Sequence, residues 1–498
     1  MDPLTLGLDI GTTGCKAVAL DPTGRVRGTA SATYPLLTDA SGRAEQNPET
    51  LWEAVCTTLR ELSVGTQPLA GLALSGAMHS VVALGPRYKP LADALTWADS
   101  RAGTLLDTLR REGNEVALYT HTGCPLETPY HTARLRWLRE AQPELFRRAQ
   151  LFVSLKDYLA YRLSGTLATD VGLASTTGLL DLRNARWHEA ALALAGVTAA
   201  QLPDLVQPTD QLGTLTEAAA AATGLTAGLP IFSGGSDGGL ANLGSGVTRP
   251  GETILTLGTS GAVRQVANAP QLGPERLTWC YLLSAGRYFA GGAINNGGLT
   301  LEWLRRTLYS ELPRDGGYSR LLQDAAEAPG GPLCLPYLTG ERTPHWNAEL
   351  RASFFGVGAH HTRADLARAA LEGVAFTLAD VFELLKPNTH PVQLTGGVTY
   401  APFWAQLITD TLGVKTELNP VADASALGAA MLAQVALSWT TFEDAAARAA
   451  SAARTPLKPD PAAHARLAHR RAQAQALLHA TQNLNTEPGT KAAAATGK

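Results

Sequence analysis

Two short turns of the same chemistry, half a chain apart, constrain this sequence more than any other feature. Residues 4–20 read Leu-Thr-Leu-Gly-Leu-Asp-Ile-Gly-Thr-Thr-Gly-Cys-Lys-Ala-Val-Ala-Leu. Apolar, β-prone runs flank Gly11-Thr12-Thr13-Gly14, the pattern of a strand, a tight turn and a returning strand. The glycines let backbone N–H groups approach a bulky anion and the threonines add hydroxyls, so the turn can form a nest that suits phosphate. Asp9 ends the first strand, where its carboxylate would hold a hydrated magnesium ion, and Lys16 would face the same phosphates as a point charge. Taken alone, the segment reads equally well as a hairpin with a surface acid. Residues 253–263, Thr-Ile-Leu-Thr-Leu-Gly-Thr-Ser-Gly-Ala-Val, repeat the pattern around Gly258-Thr259-Ser260-Gly261. Two such turns, each opening half of the chain, imply two related domains facing each other across a nucleotide.

Length agrees, since 498 residues are too many for one core. A net charge of −3 leaves no electrostatic footprint for nucleic acid. No run approaches the roughly 18 apolar residues of a membrane helix. A strand begins at Leu4, so no signal peptide is expected. The five cysteines contain no CxxC pair, which argues against a disulfide framework or a zinc site and fits a reducing cytoplasm.

Other segments carry chemistry. Asn47-Pro48-Glu49 opens a helix, with Asn47 as the cap. A buried strand from Leu69 ends in Gly76-Ala77-Met78-His79-Ser80. Trp97-Ala98-Asp99-Ser100-Arg101 reads as a core tryptophan with a surface ion pair. Asp237 lies in Ser-Gly-Gly-Ser-Asp-Gly-Gly; flanking glycines leave the acid open to a substrate, although an acid at a helix start is also an ordinary cap. Residues 336–347 form a long loop without helical or strand period, a kind that is often functional. Gly396-Gly397 is a third glycine turn, and Asp423 precedes a small-residue helix. Residues 484–498 contain almost nothing to bury and are expected to be disordered.

Together these motifs resemble the FGGY family of carbohydrate kinases, from residue 5 to about residue 440. Asp9-Ile10-Gly11-Thr12-Thr13 is similar to the first phosphate motif, Gly258-Thr259-Ser260 to the second, and Gly396-Gly397 to the adenosine motif. Asp423 with Ala426-Leu427-Gly428-Ala429-Ala430 matches a further segment, and Asp237 stands at the place of the catalytic base. The resemblance implies an α/β fold of two ribonuclease H-like (actin/hexokinase-type) domains flanking a central cleft. The expected domains are 1–246, binding sugar, and 247–440, binding nucleotide, with terminal helices at 441–483 packed on the second domain. It implies ATP and Mg²⁺ as cofactors. Gly11, Thr12, Thr13, Lys16, Gly258, Thr259, Ser260, Gly396 and Gly397 would hold the nucleotide, Asp9 the metal, and Met78, His79, Trp97, Tyr130 and Asp237 the sugar. Where the family usually has Ser or Asn after the adenosine motif, this chain has Ala401.

The segments at Ser75–Ser80, Thr96–Arg101, Thr122–Pro125, Gly291–Gly298 and Gly340–Arg342 are most similar to the gluconate-phosphorylating branch. The expected partners are therefore a small sugar acid and ATP, with no nucleic acid and no membrane; a homodimer is compatible with the sequence. A substrate carboxylate would need a cation, and the candidates are His79, Arg101, Lys156 and Arg342. The alternatives are a xylulose kinase or other sugar kinase of the family and, more remotely, an actin-like ATPase.

Overall fold

The first glycine turn is closed by the Gly11 N–H, which donates to the Gly14 carbonyl at 3.0 Å. It joins β1 (Leu4–Ile10) to β2 (Gly14–Leu20), antiparallel, with Asp9 directly opposite Lys16. The computed structural model describes residues 2–62, 67–386 and 390–481; the tail expected to be disordered lies outside them. Next to β2 runs β3 (Val26–Thr33), antiparallel. On the other side of β1 lie β4 (Leu69–Gly76) and β5 (Pro230–Ser236), both parallel to it. Leu4, Leu6 and Leu8 are fully buried, as expected of a strand in a sheet covered on both faces.

The second half repeats this sheet strand for strand. β6 (Thr253–Leu257), β7 (Gly261–Ala267) and β8 (Arg287–Ile294) are successive antiparallel neighbours. β9 (Val392–Gly396) and β10 (Thr416–Leu418) continue from β6 in parallel. The order β5-β4-β1-β2-β3 thus corresponds to β10-β9-β6-β7-β8, with extra edge strands at Gln211–Thr214, Trp279–Ser284 and Thr455–Leu457. The internal repeat seen in two turns extends to a whole topology, and the fold is the two-domain actin/hexokinase type. Among the described residues no helix is long and apolar enough to cross a membrane.

The halves are joined by two helices that touch backbone to backbone. In the Asp237–Gly244 helix, a Cβ on Gly244 would lie 2.0 Å from the Ala424 carbonyl oxygen; one on Gly428 of the Ala424–Ala436 helix would lie 2.0 Å from that of Leu240. The second helix also lies directly on β1. There a Cβ on Gly7 would meet the Ala426 carbonyl oxygen at 1.9 Å. This corrects the expected division of the chain. Ala426, Ala429, Ala430, Ala445 and Ala446 share a core with Val18, Ala73 and Phe232 of the first half. The Phe442–Ala450 helix therefore packs on the first half, while the Pro461–Thr481 helix buries Leu467 and Ala474 in the second. Small side chains permit the close crossing, and apolar burial then decides where the helices dock. Gly7→Ala is expected to destabilise the protein by about 1–3 kcal/mol, read as a lower urea midpoint; an unchanged midpoint contradicts this packing.

Candidate active site

β1, β4 and β5 end level with one another, Ile10 and Ser236 both being register partners of Gly76. Asp9, the Gly76–Ser80 segment and Asp237 therefore emerge along one sheet edge. In the second sheet Leu257 and Gly396 are partners, so the Gly258–Ser260 turn and Gly396-Gly397 also emerge side by side. Between the two edges lies a cavity of about 310 Å³. From the first half it is lined by Thr12, Met78, His79, Trp97, Tyr130 and Asp237. The second half contributes Thr256, Ser260, Arg264, Tyr281, Arg342 and Trp346. Both halves therefore line the cavity, and Arg342, a candidate cation in the sequence, stands on the side of the second half. Gly11, Thr13, Lys16, Gly258, Thr259, Gly396 and Gly397 stand outside this cavity, along the strand ends.

Asp237 is the first residue of its helix, and Ser236 caps that helix through the Gly239 N–H at 3.3 Å. Its Oδ1 accepts the Gly238 N–H at 2.7 Å. Burial, reinforced by the nearby Asp9 carboxylate, pushes its pKa up to about 7, against the opposing pull of the Gly238 N–H and Arg264. Asp9 accepts the Ser75 hydroxyl at 2.6 Å, and burial raises its pKa too, opposed by Ser75 and Lys16. Two recessed carboxylates, with Asp9 hindering the ionisation of Asp237, are an oxygen donor set suited to a hard divalent cation. Lys16, expected on the phosphates, is paired with Asp423 at 2.6 Å and is half exposed. That partner is 407 residues away, so no local pattern announces it.

The cavity wall that carries His79, Trp97 and Tyr130 is built from stacked and bonded rings. His79 adopts a left-handed backbone at φ 66°. Its Nδ1 lies 2.9 Å from the Thr176 carbonyl; a carbonyl only accepts, so Nδ1 carries the proton and Nε2 is an acceptor. Burial first, then the Arg134 charge, hold its pKa well below the usual histidine range. His79 is therefore neutral, which removes it as the cation for a carboxylate. The Tyr130 and Tyr281 hydroxyls are 2.9 Å apart. Trp97 is not the core residue that its sequence context suggested: its Nε1–H donates to the Thr12 hydroxyl at 2.9 Å, tying this wall of the cavity to the first glycine turn. The Arg342 guanidinium lies 4.7 Å over the Trp97 ring, with Nε donating to Asn295 at 2.7 Å.

Two other candidate cations are committed elsewhere. Arg101 bonds Asp99 and Glu45 and stacks on Trp137 at 4.5 Å. Lys156 is sealed among Asp170 at 2.8 Å, Asp157 at 3.2 Å and the Ser233 carbonyl at 2.9 Å.

Sequence reasoning missed Arg264, Arg134 and the aromatics Trp279 and Tyr281. Arg264 is buried beside Asp237, anchored on Asn242 at 3.0 Å and Thr256 at 2.8 Å. Arg134 is fully buried and donates to three carbonyls: His79, Thr128 at 3.2 Å and Asp99 at 3.2 Å. Burial brings its pKa down to about 9. These carbonyls belong to the three segments carrying Met78 and His79, Trp97, and Tyr130. The one available signal was an arginine within the apolar stripe of the His131–Ala141 helix, beside Leu135 and Leu138. Arg134→Leu leaves the carbonyls unpaired, at roughly 1–3 kcal/mol each. It is expected to lower the urea midpoint sharply and to raise the sugar KM, and unchanged values of both contradict the positioning role.

Residues 4–244 match the FGGY family of carbohydrate kinases, N-terminal domain, and residues 254–437 match its C-terminal domain. Gluconokinase of Bacillus subtilis (strain 168) is 34% identical over 448 residues, covering 87% of this chain and 87% of that protein. Xylulose kinase of the same strain is 29% identical over 447 residues, covering 87% and 88%. The crystal structure of gluconate kinase from Lactobacillus acidophilus superposes with a TM-score of 0.89 at 30% identity, covering 96% of this chain and 98% of that one. Ligand-bound xylulose kinase from Lactobacillus acidophilus gives 0.90 at 30% identity, with coverages of 96% and 98%.

Proposed function

The chain belongs to the FGGY family of carbohydrate kinases and is an ATP-dependent sugar kinase; we propose that its sugar is D-gluconate, converted to 6-phospho-D-gluconate. The observation that carries this reading is Arg342, a cation stacked on Trp97 in the same cavity as Asp237. A carboxylate entering there meets a guanidinium that is always charged, while the acceptor hydroxyl turns toward Asp237.

In this reading Asp237 orients the terminal hydroxyl and takes its proton. A carboxylate with a pKa near 7 is a better match to an alcohol than an ordinary aspartate. Little covalent chemistry is needed, so positioning and charge neutralisation supply most of the rate. Thr12 and Thr13 on one side, and Thr259 and Ser260 on the other, present hydroxyls to the phosphate chain, with Gly11 and Gly258 allowing its close approach. Lys16 is exchangeable between Asp423 and the phosphates. Asp9 would hold Mg²⁺ through water, supplying positive charge at the transferring phosphate. Gly396-Gly397 receives the adenosine by backbone packing, since Ala401 offers no polar side chain. His79 accepts a sugar hydroxyl at Nε2, and Met78 and Tyr130 complete the wall. Five buried cysteines, none in a disulfide, favour a reducing cytoplasm as its compartment.

A second reading, xylulose kinase, draws on the nearly equal superposition with that enzyme. The catalytic class is tested by ADP release, measured with and without each of a panel of sugars and sugar acids. Release that rises with gluconate supports the proposal, whereas release that no sugar stimulates supports the actin-like ATPase.

A further inference from the structure

Away from the cleft, three side chains that ligate metals converge from three separate elements. His121 lies in the last turn of the Glu115–Thr122 helix, Asp181 ends the Leu180–Asp181 strand, and His188 caps the Glu189–Ala195 helix. One candidate ligand atom of each lies within 4.8 Å of the other two. His121 Nδ1 is 2.7 Å from Asp181 Oδ2. The two imidazoles stack with centroids 4.7 Å apart and planes inclined by 28°.

The backbone holds this arrangement in place. Asp181 Oδ1 accepts the N–H groups of Arg183 at 3.0 Å and Asn184 at 2.9 Å, which leaves Oδ2 directed at His121. The Leu182 N–H donates to the His121 carbonyl at 2.9 Å, fastening the strand to the helix end. His188 Nδ1 accepts the Ala191 N–H in a long 3.3 Å bond. None of the three lines the cavity that holds Asp237, so phosphoryl transfer leaves them without a task.

We propose that His121, Asp181 and His188 form a binding site for a divalent transition metal ion of the Zn²⁺ class. Two imidazoles and one carboxylate are a borderline nitrogen and oxygen donor set of the kind such ions prefer over Mg²⁺. The side chain of His121 is 47% exposed, so water has access to complete the coordination. The cysteine pattern pointed away from zinc, but this site uses no thiolate. An ion here would clip together two helices and a strand. The clipped helix runs into Gly123 and Cys124, and Cys124 packs against Tyr130 and Tyr281 of the sugar wall.

The test uses the full chain, stripped of metal and titrated with Zn²⁺ alone by calorimetry, with thermal melting in parallel. His188→Asn keeps a side-chain oxygen to cap the helix, and His121→Gln keeps an N–H for Asp181, so both variants retain the local structure. The wild type is expected to bind one tight equivalent and to melt higher with Zn²⁺. Each variant is expected to bind at least about tenfold more weakly and to lose the melting shift. Absence of saturable binding overturns the proposal. So does equal affinity in the wild type and both variants, which would assign the ion to another pair such as His360 and His361.

Discussion

Asp237→Asn is expected to lower kcat by a factor of about 10²–10⁴, the usual contribution of a positioned general base, while gluconate still binds. The amide keeps the size of the carboxylate and cannot take a proton. Turnover above about a tenth of wild type, a barrier change of only ~1.4 kcal/mol, contradicts the assignment. The same residue sets a pH dependence. The reactive form is the carboxylate, and in the free enzyme burial and Asp9 raise its pKa to about 7. The kcat/KM for gluconate is therefore expected to fall about tenfold per pH unit below 7, and this limb should be missing from the residual activity of the variant. Stability moves the other way. The fold favours the protonated acid, so the stability it contributes is complete below the reference pKa of 3.8 and lost as pH rises through about 7. The ligand-free Asn variant is thus expected to melt above wild type at pH 8, with the gap narrowing as the pH is lowered.

Arg342→Met is expected to have the second-largest effect. Methionine keeps apolar bulk over Trp97 and removes the charge. A hydrogen bond to a charged group contributes about 1.5–3 kcal/mol, or roughly 10–150-fold. The kcat/KM for gluconate should fall by that factor, and that for a neutral polyol of equal length by much less. Arg101→Met serves as the comparison: its guanidinium is already held by Asp99 and Glu45, so the ratio between the two substrates should stay constant. A loss equal for both substrates in Arg342→Met contradicts the carboxylate contact.

What the sequence disclosed and what it hid divide along the range of the interactions. The paired turns at Gly11 and Gly258 are local patterns, and they led to a repeated sheet because a glycine turn between apolar runs has few other uses. Asp237 was legible for the same reason, its glycine neighbours marking an acid left open. Charge states were not legible. The neutrality of His79 depends on burial and on Arg134, which is 55 residues away, and the pKa of Asp237 depends on Asp9 across the sheet edge. Among four candidate cations only the packing separates Arg342, which faces the cavity, from Lys156, which is sealed behind β5 with Asp170. The docking of the Ala424–Ala436 helix on β1 was hidden as well. Gly7 and Gly428 each look unremarkable until the two backbones are seen to touch.

Whether this kinase acts on a sugar acid is decided by one comparison. Steady-state kcat/KM would be measured for gluconate and for xylulose under the same ATP and Mg²⁺ conditions, with ADP release as the readout. A preference for gluconate of at least about tenfold is expected, the lower end of what one charged hydrogen bond contributes. Equal or better activity on xylulose would contradict it and leave the kinase without an assigned acid substrate.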